Sequence, residues 1–367
     1  MPAIICYHCF ERFSAHEARF KCVDHKRSHD EHLGRKSPLI FDARPVSWPR
    51  SPPVKAPCPR DGVLSGFRVC PRCHRDLPYH AGRSNQRIVA VVGCQGVGKT
   101  LFLWSLLYRL REQMARQPHP LVATMFEDDG SFDFYHSLSV TLLGHRDLPE
   151  GTQAKPQKQD GIPPVVVRIS GAGRVANLVF YDPAGELLHN LKDLRFLRYL
   201  EHAAAVIYLV DPVDSSDLEA RRQAADGLSY IVTYLKQQGQ QQKRNGLIGK
   251  ALAVVVTKAD YEIYPKHGQD DLLPTAVDDL QFWKRFGREE RRRVGRSSDR
   301  CKGVLRELKH HHLLAVAENE FARKAYFTAS SLGGVLIQGA VEPPKLSGEP
   351  APIGVEHPLF WSLRMMR

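Results

Sequence analysis

The sequence predicts an α/β domain built on a mostly parallel sheet with helices on both faces, preceded by a small cysteine-rich module. Three observations support this prediction. From residue 87 onward, short apolar runs alternate with stretches of helical periodicity. A glycine-rich segment follows the first of these runs, and six of the eight cysteines lie before residue 74. Continuous apolar strands that alternate with amphipathic helices are typical of a parallel sheet buried on both faces.

The length and composition set limits on the protein class. The chain has 367 residues, of which 43% are hydrophobic and 25% are charged. This length predicts two domains, and the composition excludes a wholly disordered or fibrous protein. Apolar runs such as Ala203–Val210 are strand-sized, well short of the roughly 18 residues that a membrane helix needs. No basic segment leads from Met1 into an apolar run, so we expect no secretory signal and a soluble, cytoplasmic protein without membrane association.

The positive charge is concentrated in two blocks. Lys and Arg exceed Asp and Glu by 12 over the whole chain. Residues 1–86 hold 15 basic and 8 acidic residues, and residues 282–312 hold 11 and 4. Such blocks can bind nucleic acid or acidic partners, or form solvated surface. Phe282, Trp283 and Phe286 are compatible with stacking on single-stranded bases, and also with a helix face packed on the domain.

The apolar and helical patterns predict the elements of the second domain. Strands are expected at Ile88–Val92, Val165–Ile169, Leu178–Tyr181, Val206–Val210, Ala251–Val256 and Tyr326–Thr328. Helices are expected at Thr100–Arg116 and near 187–202, 217–237 and 303–323. Residues 112–164 and 260–300 fit neither pattern and are expected to be insertions. The predicted domains are residues 1–86, in which the proline-rich Pro38–Pro59 is an extended connector, and residues 87–367.

The glycine-rich segment has the spacing of a phosphate-binding loop. Its sequence is Gly93-Cys94-Gln95-Gly96-Val97-Gly98-Lys99-Thr100, which matches the P-loop pattern GxxxxGK[ST]. It stands between an apolar strand and a helix, so backbone N–H groups and the helix N-terminus can bind phosphates. We expect Lys99 to contact the β- and γ-phosphates, Thr100 to bind Mg²⁺, and the nucleotide-binding segment to extend to Leu101.

Three further motifs follow, each directly after a predicted strand. They are Asp182-Pro183-Ala184-Gly185, Thr257-Lys258-Ala259-Asp260, and Ser330-Ser331. Ligands of open parallel sheets bind at the carboxyl ends of the strands, where these motifs are expected to meet. With this order of motifs, the sequence resembles the P-loop GTPases over roughly residues 87–367.

This resemblance implies roles in recognition of the base. Asp260 would accept hydrogen bonds from the guanine ring, and an adenine would leave its carboxylate unpaired. Lys258, following Thr257, would lie along the ring face, and Ser330 or Ser331 would brace the base.

The resemblance also implies roles in hydrolysis. Asp182 would hold Mg²⁺ through water, and the Gly185 N–H would contact the γ-phosphate. Many Ras-like GTPases carry Gln after the DxxG motif, whereas this chain carries Glu186, so we expect slow intrinsic hydrolysis or a group supplied by a partner. Thr152 is the candidate for the switch threonine that completes the Mg²⁺ shell, with Thr124 and Thr141 as alternatives. Arg174 and Arg195 flank the DxxG segment, but neither is assigned as an arginine finger.

The cysteines predict zinc sites in the first module. Cys6-x-x-Cys9 and Cys22-x-x-His25 together give a Cys₃His set with the spacing of structural zinc sites. Cys70-x-x-Cys73 and Cys58 offer three ligands for a second site, whose fourth ligand is open among Asp61, His74 and His80. A different pairing is also open, in which Cys6 and Cys9 join Cys70 and Cys73 and leave Cys22 and Cys58 spare.

The combination of the two parts is similar to bacterial double-GTPase-type proteins with an N-terminal zinc-ribbon module. The residues that carry this likeness are Ile5–Phe13, Cys70–Pro78, Tyr181–Glu186 and Val256–Asp260. His25 and Asp61 depart from it, since cysteine is expected at both positions.

The leading functional hypothesis is a switch that binds GTP and GDP and hydrolyses GTP slowly, with a zinc module that docks a protein partner. The alternatives are a nucleic-acid-binding zinc protein regulated by GTP and a GTP-bound scaffold that does not hydrolyse.

Overall fold

The structure is a computed structural model. It describes residues 3–23, 27–43, 53–78, 81–82, 85–113, 123–126, 128–149, 164–171, 174–182, 188, 198–212, 217–274, 287–334 and 345–365.

The N-terminal part consists of short antiparallel strands. In its described residues these are β1 (Ala3–Ile5), β2 (Arg12–Ser14), β3 (Arg19–Lys21), β4 (Arg27–Asp30), β5 (Arg35–Pro38), β6 (Ile40–Phe41), β7 (Ala56–Pro57), β8 (Leu64–Ser65) and β9 (Arg68–Val69). They pair as β1-β2, β6-β3-β9, β4-β5 and β7-β8. β6 and β7 lie within Pro38–Pro59, so these residues of the predicted extended connector are extended but paired with other strands of the module. Phe41 stacks on Phe20 with ring centroids 6.1 Å apart, which ties β6 to the module.

One large sheet dominates the rest of the chain. Its strands among the described residues are β10 (Asn85–Gly93), β11 (Ala123–Phe126), β12 (Pro164–Gly171), β13 (Arg174–Tyr181), β14 (Ala205–Val210), β15 (Ile248–Val256) and β16 (Phe321–Thr328). Their order is β11-β12-β13-β10-β14-β15-β16. Only β12 runs against its neighbours, so the prediction of a mostly parallel sheet is confirmed. The unexpected strand β11 lies within the first predicted insertion.

The helices cover the sheet on both faces, as predicted. Those described are α1 (Lys99–Tyr108), α2 (Asp129–Ser139), α3 (Tyr199–His202), α4 (Leu218–Gln237), α5 (Ile263–His267), α6 (Gln269–Leu272), α7 (Arg288–Glu307), α8 (His311–Glu320) and α9 (Glu356–Met365). Two π-helical turns follow α1 and α2, at Arg109–Gln113 and Val140–His145. In the described residues no helix combines the length and the apolar character that crossing a bilayer requires.

The predicted helix near 303–323 is wrong as a single element. Lys309 adopts a left-handed φ of 61°, which separates α7 from α8. The final residues of the predicted helix belong to β16, which begins at Phe321 instead of Tyr326. The second predicted insertion is also not structureless, because it contains α5, α6 and the start of α7.

Alternating residues of the central strand divide the core into two apolar layers. Ile88, Ala90 and Val92 face a layer formed with α4, α7 and α8. Val89 and Val91 face the opposite layer, formed with α1, α2 and α9. The alternation follows from the two-residue period of a strand, and it explains why every position of β10 from Ile88 to Val92 is apolar.

A close contact in the first layer leads to a testable prediction. A Cβ on Gly227 in α4 would lie 2.8 Å from the hydroxyl of Tyr208, which donates to the Ala224 carbonyl at 2.6 Å. We expect Gly227→Ala to lower the free energy of unfolding by about 1 kcal/mol or more, because overpacking outweighs the gain in helix propensity. Urea unfolding measures this change.

The matched control is Gly295→Ala in α7, where a Cβ would meet no atom within 4 Å. This change should raise the free energy of unfolding by about 0.5–1 kcal/mol. In a Tyr208→Phe background the loss caused by Gly227→Ala should disappear. An undiminished loss there would show that the hydroxyl contact is not the cause.

Candidate functional site

The predicted phosphate loop lies between β10 and α1. Gly98 has φ 85° and stands at the N-cap of α1 without a side-chain cap. The N-terminal N–H groups of α1 are therefore oriented to bind an anion. Gly93 allows a close approach to the next strand, because a Cβ there would lie 2.8 Å from the carbonyl oxygen of Leu209. The loop therefore packs closely against β14 where it begins at Gly93, and it ends at the N-terminus of α1.

The first two residues of α1 reach polar groups around the loop. Lys99 is buried, and its Nζ donates to the carbonyls of Gly93 at 3.1 Å and Cys94 at 2.8 Å. The Thr100 hydroxyl donates to the Asp182 carboxylate at 2.5 Å. Burial raises the pKa of Asp182 above its usual value, and the Thr100 bond and the Lys99 charge offset this only in part. A divalent cation beside this carboxylate would favour the ionised form.

A cavity of about 520 Å³ opens beside the loop. Its walls include Thr257, Lys258, Asp260, Ser330 and Ser331, from the two loops predicted to bind the base, and Val97, Gly98 and Leu101 of the predicted nucleotide-binding segment. Its remaining walls are Leu148, Tyr261, Leu332 and Gly334, which the sequence reasoning missed. Leu148 follows the π-helical turn Val140–His145, so part of the predicted first insertion closes the cavity. Nothing in the spacing of Leu148 indicates this role, because only the path of the insertion brings it to the sheet edge.

An ion pair holds Lys258 at the mouth of this cavity. Its Nζ donates to the carboxylate of Asp211, whose side chain is only 8% exposed. Asp211 directly follows β14, and Lys258 follows β15, the neighbouring strand. The sequence reasoning did not single out Asp211, although an acidic residue directly after a fully apolar strand was an available signal.

Hydrogen bonds join the motif loops to one another. The Thr257 hydroxyl lies 3.2 Å from the Val97 carbonyl, linking the base loop to the phosphate loop. The Ala259 N–H donates to the Ala329 carbonyl at 3.1 Å. Ser330 is buried, and its hydroxyl accepts from the Gly333 N–H at 2.8 Å. The three loops therefore form one connected edge.

Other predicted residues are not placed by the structure. Gly185, Glu186, Thr152 and Arg195 lie outside the described residues. Thr124 and Arg174 lie in β11 and β13, although their side chains are not described. The hydroxyl of Thr141 donates to the Ser137 carbonyl at 3.1 Å within its own helical segment. Thr152 as the switch threonine stays a prediction.

Four cysteine thiols converge in the N-terminal part. The Sγ atoms of Cys6, Cys9, Cys70 and Cys73 all lie within 4.8 Å of one another, and the Cys6–Cys73 and Cys9–Cys70 pairs are each 3.7 Å apart. Four thiolates placed 2.3 Å from a tetrahedral zinc ion would be about 3.8 Å apart. The expected Cys₃His grouping of Cys6 and Cys9 with Cys22 is therefore wrong, and the alternative pairing is the one that the structure brings together.

Both halves of this cluster have the same local geometry. The N–H groups of His8 and Arg72 lie 3.4 Å from the first sulfur of each pair. Phe10 and His74, directly after the second cysteines, have φ values of 62° and 58°. Hydrogen bonding from the Cys6 thiol lowers the pKa of Cys9 to about 7 and also lowers that of Cys70. Hydrogen bonding to the neighbouring thiols raises the pKa of Cys6, and the pKa of Cys73 is raised as well, so thiolates are favoured at two of the four positions. The thiolate is the form that binds metals.

A second cluster contains Cys22, Cys58 and Asp61. The two Sγ atoms are 3.0 Å apart, and Cys22 Sγ lies 3.5 Å from a carboxylate oxygen of Asp61. Gly62 follows Asp61 with φ 74°, so Cys58-x-x-Asp61 repeats the turn of the two CxxC pairs with a carboxylate in place of the second thiol. Cys22 and Cys58 are thus not spare, and Asp61 offers a ligand where the sequence suggested a defect.

The candidates for a fourth ligand of this cluster are His25, His74 and His80. His74 is engaged elsewhere, because its ring nitrogens lie 2.8 Å from the Asp30 carboxylate and 3.0 Å from the Arg19 guanidinium. His25 and His80 lie outside the described residues.

Part of the chain matches a known protein family. Residues 87–293, more than half of the chain, match the family described as Double-GTPase 2. No curated protein matches the chain.

Two solved structures are similar at low level. The Arl6 BBS3 small GTPase from Trypanosoma brucei, with the bound nucleotide analogue GppNp, has 11% identity and a TM-score of 0.34, covering 77% of this chain and 98% of that one. Sup35 complexed with GMPPNP has 12% identity and a TM-score of 0.29, covering 68% of this chain and 38% of that one. These scores are too low to carry an argument.

The base cavity leads to a prediction about specificity. We expect Asp260→Asn to weaken GTP binding at least tenfold, about 1.4 kcal/mol, and to improve binding of the xanthine nucleotide XTP. The amide no longer accepts from both guanine donors, whereas the xanthine ring presents the complementary groups. Competition calorimetry with GTP, XTP and ATP measures the shift.

Asp270→Asn in α6, outside this cavity, is the matched control and should leave the preference unchanged. Lys99→Ala should weaken GTP and XTP binding alike, since it acts on phosphate. Equal binding of ATP and GTP by the natural chain would contradict the assignment of Asp260.

Proposed function

The chain belongs to the Double-GTPase 2 family, and we propose that it acts as a molecular switch that binds GTP with Mg²⁺ and hydrolyses it slowly. The family supports GTP binding. The observation that carries the proposal is the convergence of the phosphate loop, Asp182 and Asp260 at one edge of the parallel sheet, where the loop and Asp260 line a cavity large enough for a base.

Thr100 and Asp182 are the proposed Mg²⁺ residues. Their side chains already touch, and Lys99 lies on the same side of the loop. A cation held by Thr100 and Asp182 would offset the cost of burying the Asp182 carboxylate and would supply positive charge to stabilise the phosphates. The Lys99 ammonium would exchange its two loop carbonyls for the β- and γ-phosphate oxygens.

Base recognition is proposed to rest on Asp260 and Lys258, with Ser330 and Ser331 bracing the ring. Asp211 supports this arrangement, because its buried carboxylate fixes the Lys258 side chain at the cavity mouth. The apolar walls at Leu148 and Leu332 would cover the base and exclude water from the hydrogen bonds to Asp260.

The N-terminal clusters are proposed to bind zinc and to form a docking module for a protein partner. The sulfur separations in the first cluster fit tetrahedral zinc. Val63, Leu64 and Phe67 are at least half exposed, which places apolar surface beside the second cluster. Exposed apolar side chains grouped in this way are typical of protein interfaces.

The nucleic-acid alternative has less support. Helix α7 carries the second basic block, but Arg293 and Arg296 lie near Glu289, and Arg300 pairs with Asp271. These pairs reduce the charge available to phosphates. The aromatic residues proposed for base stacking lie outside the described residues.

The hydrolysis proposal predicts an order of effects. We expect slow single-turnover hydrolysis by the isolated chain, which Asp182→Ala reduces more than Glu186→Ala does. Asp182 acts on Mg²⁺, whereas no arginine finger, a group contributing roughly 10³–10⁵ in rate, is assigned in this chain. Rapid-quench measurements at saturating GTP and Mg²⁺ compare the variants. Loss of hydrolysis in Glu186→Ala with unchanged GTP affinity would make Glu186 the principal catalytic group instead.

The zinc proposal predicts the metal content of the purified protein. We expect one to two zinc ions per chain by elemental analysis, with Cys70→Ser emptying the first cluster and Cys58→Ser the second. Cys301→Ser is the control, since this buried thiol belongs to neither cluster. Zinc content that does not change in Cys70→Ser would refute the first site.

A further inference from the structure

The N-terminal module is anchored in the core beneath the nucleotide site. Tyr7, between Cys6 and Cys9, is 1% exposed and belongs to the apolar layer formed by β10, β13 and α4. Its backbone carbonyl accepts a hydrogen bond from the Tyr181 hydroxyl at 2.5 Å. This bond joins the turn that carries the first two cysteine ligands to the last residue of β13.

Tyr181 directly precedes Asp182. Asp182 in turn accepts from Thr100 at 2.5 Å, so an unbroken path of covalent and hydrogen bonds runs from the cysteine turn to the proposed Mg²⁺ residues. The Tyr181 ring is also stacked on Tyr199 at 4.5 Å. Its position therefore depends on both its ring packing and its hydroxyl bond.

Phe10 reinforces this anchor from the other end of the turn. Its ring lies 5.8 Å from that of Tyr181 and is parallel to the ring of His202 at 5.5 Å. The left-handed φ of Phe10 belongs to the geometry of the cysteine turn. The turn thus brings the Phe10 ring and the Tyr7 carbonyl into contact with Tyr181.

A second pair of hydrogen bonds joins the residue before Cys6 to β10, the strand next to β13. The Gln86 side chain accepts from the Ile5 N–H at 3.2 Å and donates to the Ile5 carbonyl at 2.7 Å. Gln86 lies near the start of β10, which runs into the phosphate loop and pairs in parallel with β13. The residues beside Cys6 therefore hold both strands that lead to the phosphate and Mg²⁺ groups.

We propose that metal filling of the Cys6, Cys9, Cys70 and Cys73 site and binding of Mg²⁺–GTP stabilise each other, with Tyr181 as the positioning residue that couples them. The inference rests on the proposed function, which supplies both ligands. Without metal the short turn loses its cross-link, and the buried Tyr181 hydroxyl loses its acceptor. With nucleotide and Mg²⁺ bound, the end of β13 is fixed, which holds the Tyr7 carbonyl and resists opening of the turn.

Such coupling must act in both directions. The test measures zinc transfer to a colorimetric chelator from the full-length chain carrying Cys58→Ser, which removes the second cluster. Transfer is followed with and without the slowly hydrolysed analogue GTPγS and Mg²⁺. We expect the nucleotide to slow zinc release about fivefold or more, the lower end of typical coupling between sites.

Tyr181→Phe keeps the ring and removes the bond to Tyr7, so it should abolish most of this slowing and weaken Mg²⁺–GTPγS binding. Tyr199→Phe is the matched control. Its ring is stacked on Tyr181 and equally buried, but its hydroxyl has no hydrogen-bond partner among the described residues. This variant should retain the slowing.

The outcomes separate the inference from the proposed function. Calorimetric binding of GTPγS with unchanged zinc release would overturn the coupling and leave the GTP switch intact. Absence of GTPγS binding would overturn the function itself. If Tyr181→Phe folds poorly by circular dichroism, the coupling is measured in the other direction on the Cys58→Ser chain. Removal of its zinc by the chelator should weaken Mg²⁺–GTPγS binding, and unchanged calorimetric affinity of the zinc-free, folded chain would equally contradict the proposal.

Discussion

The parallel alignment of the central strands is the constraint on which the site depends. β10, β13, β14, β15 and β16 all end at the same edge of the sheet. Because their carboxyl ends meet there, residues separated by more than 200 positions, such as Val97 and Ser330, line the same cavity. The apolar strands bury both faces, and the polar residues of the motifs follow these ends.

Charged side chains are buried at this edge, and a ligand of opposite charge would lower the cost of burying them. Asp182 is buried beside Thr100, and burial raises its pKa. Lys99 is buried against two carbonyls. Burying charged groups is costly, so phosphates near Lys99 and a divalent cation near Asp182 fit the charge pattern of the site.

The N-terminal module has too small an apolar core to be stabilised in the way that the sheet is. Strands of two to four residues bury too little apolar surface to fold alone, which is why three turns of similar geometry gather cysteines and Asp61 into two clusters. The module is nevertheless not independent of the sheet, since Tyr7, Phe10 and Ile5 contact its residues. The cysteine clusters and the core packing therefore involve the same segment.

The sequence by itself determined the class of the main domain, because buried parallel strands and a P-loop leave strong local patterns from Ile88 to Thr100. It also indicated the Asp260 and Ser330 loops, since each directly follows an apolar run. It did not determine which cysteines form a cluster, because Cys6 and Cys70 are brought together only by folding over the residues between them. Leu148 and the Tyr7–Tyr181 bond were likewise decided by tertiary structure alone. Each of these contacts depends on where a distant segment of the chain passes, and the local periodicity of the sequence does not indicate that position.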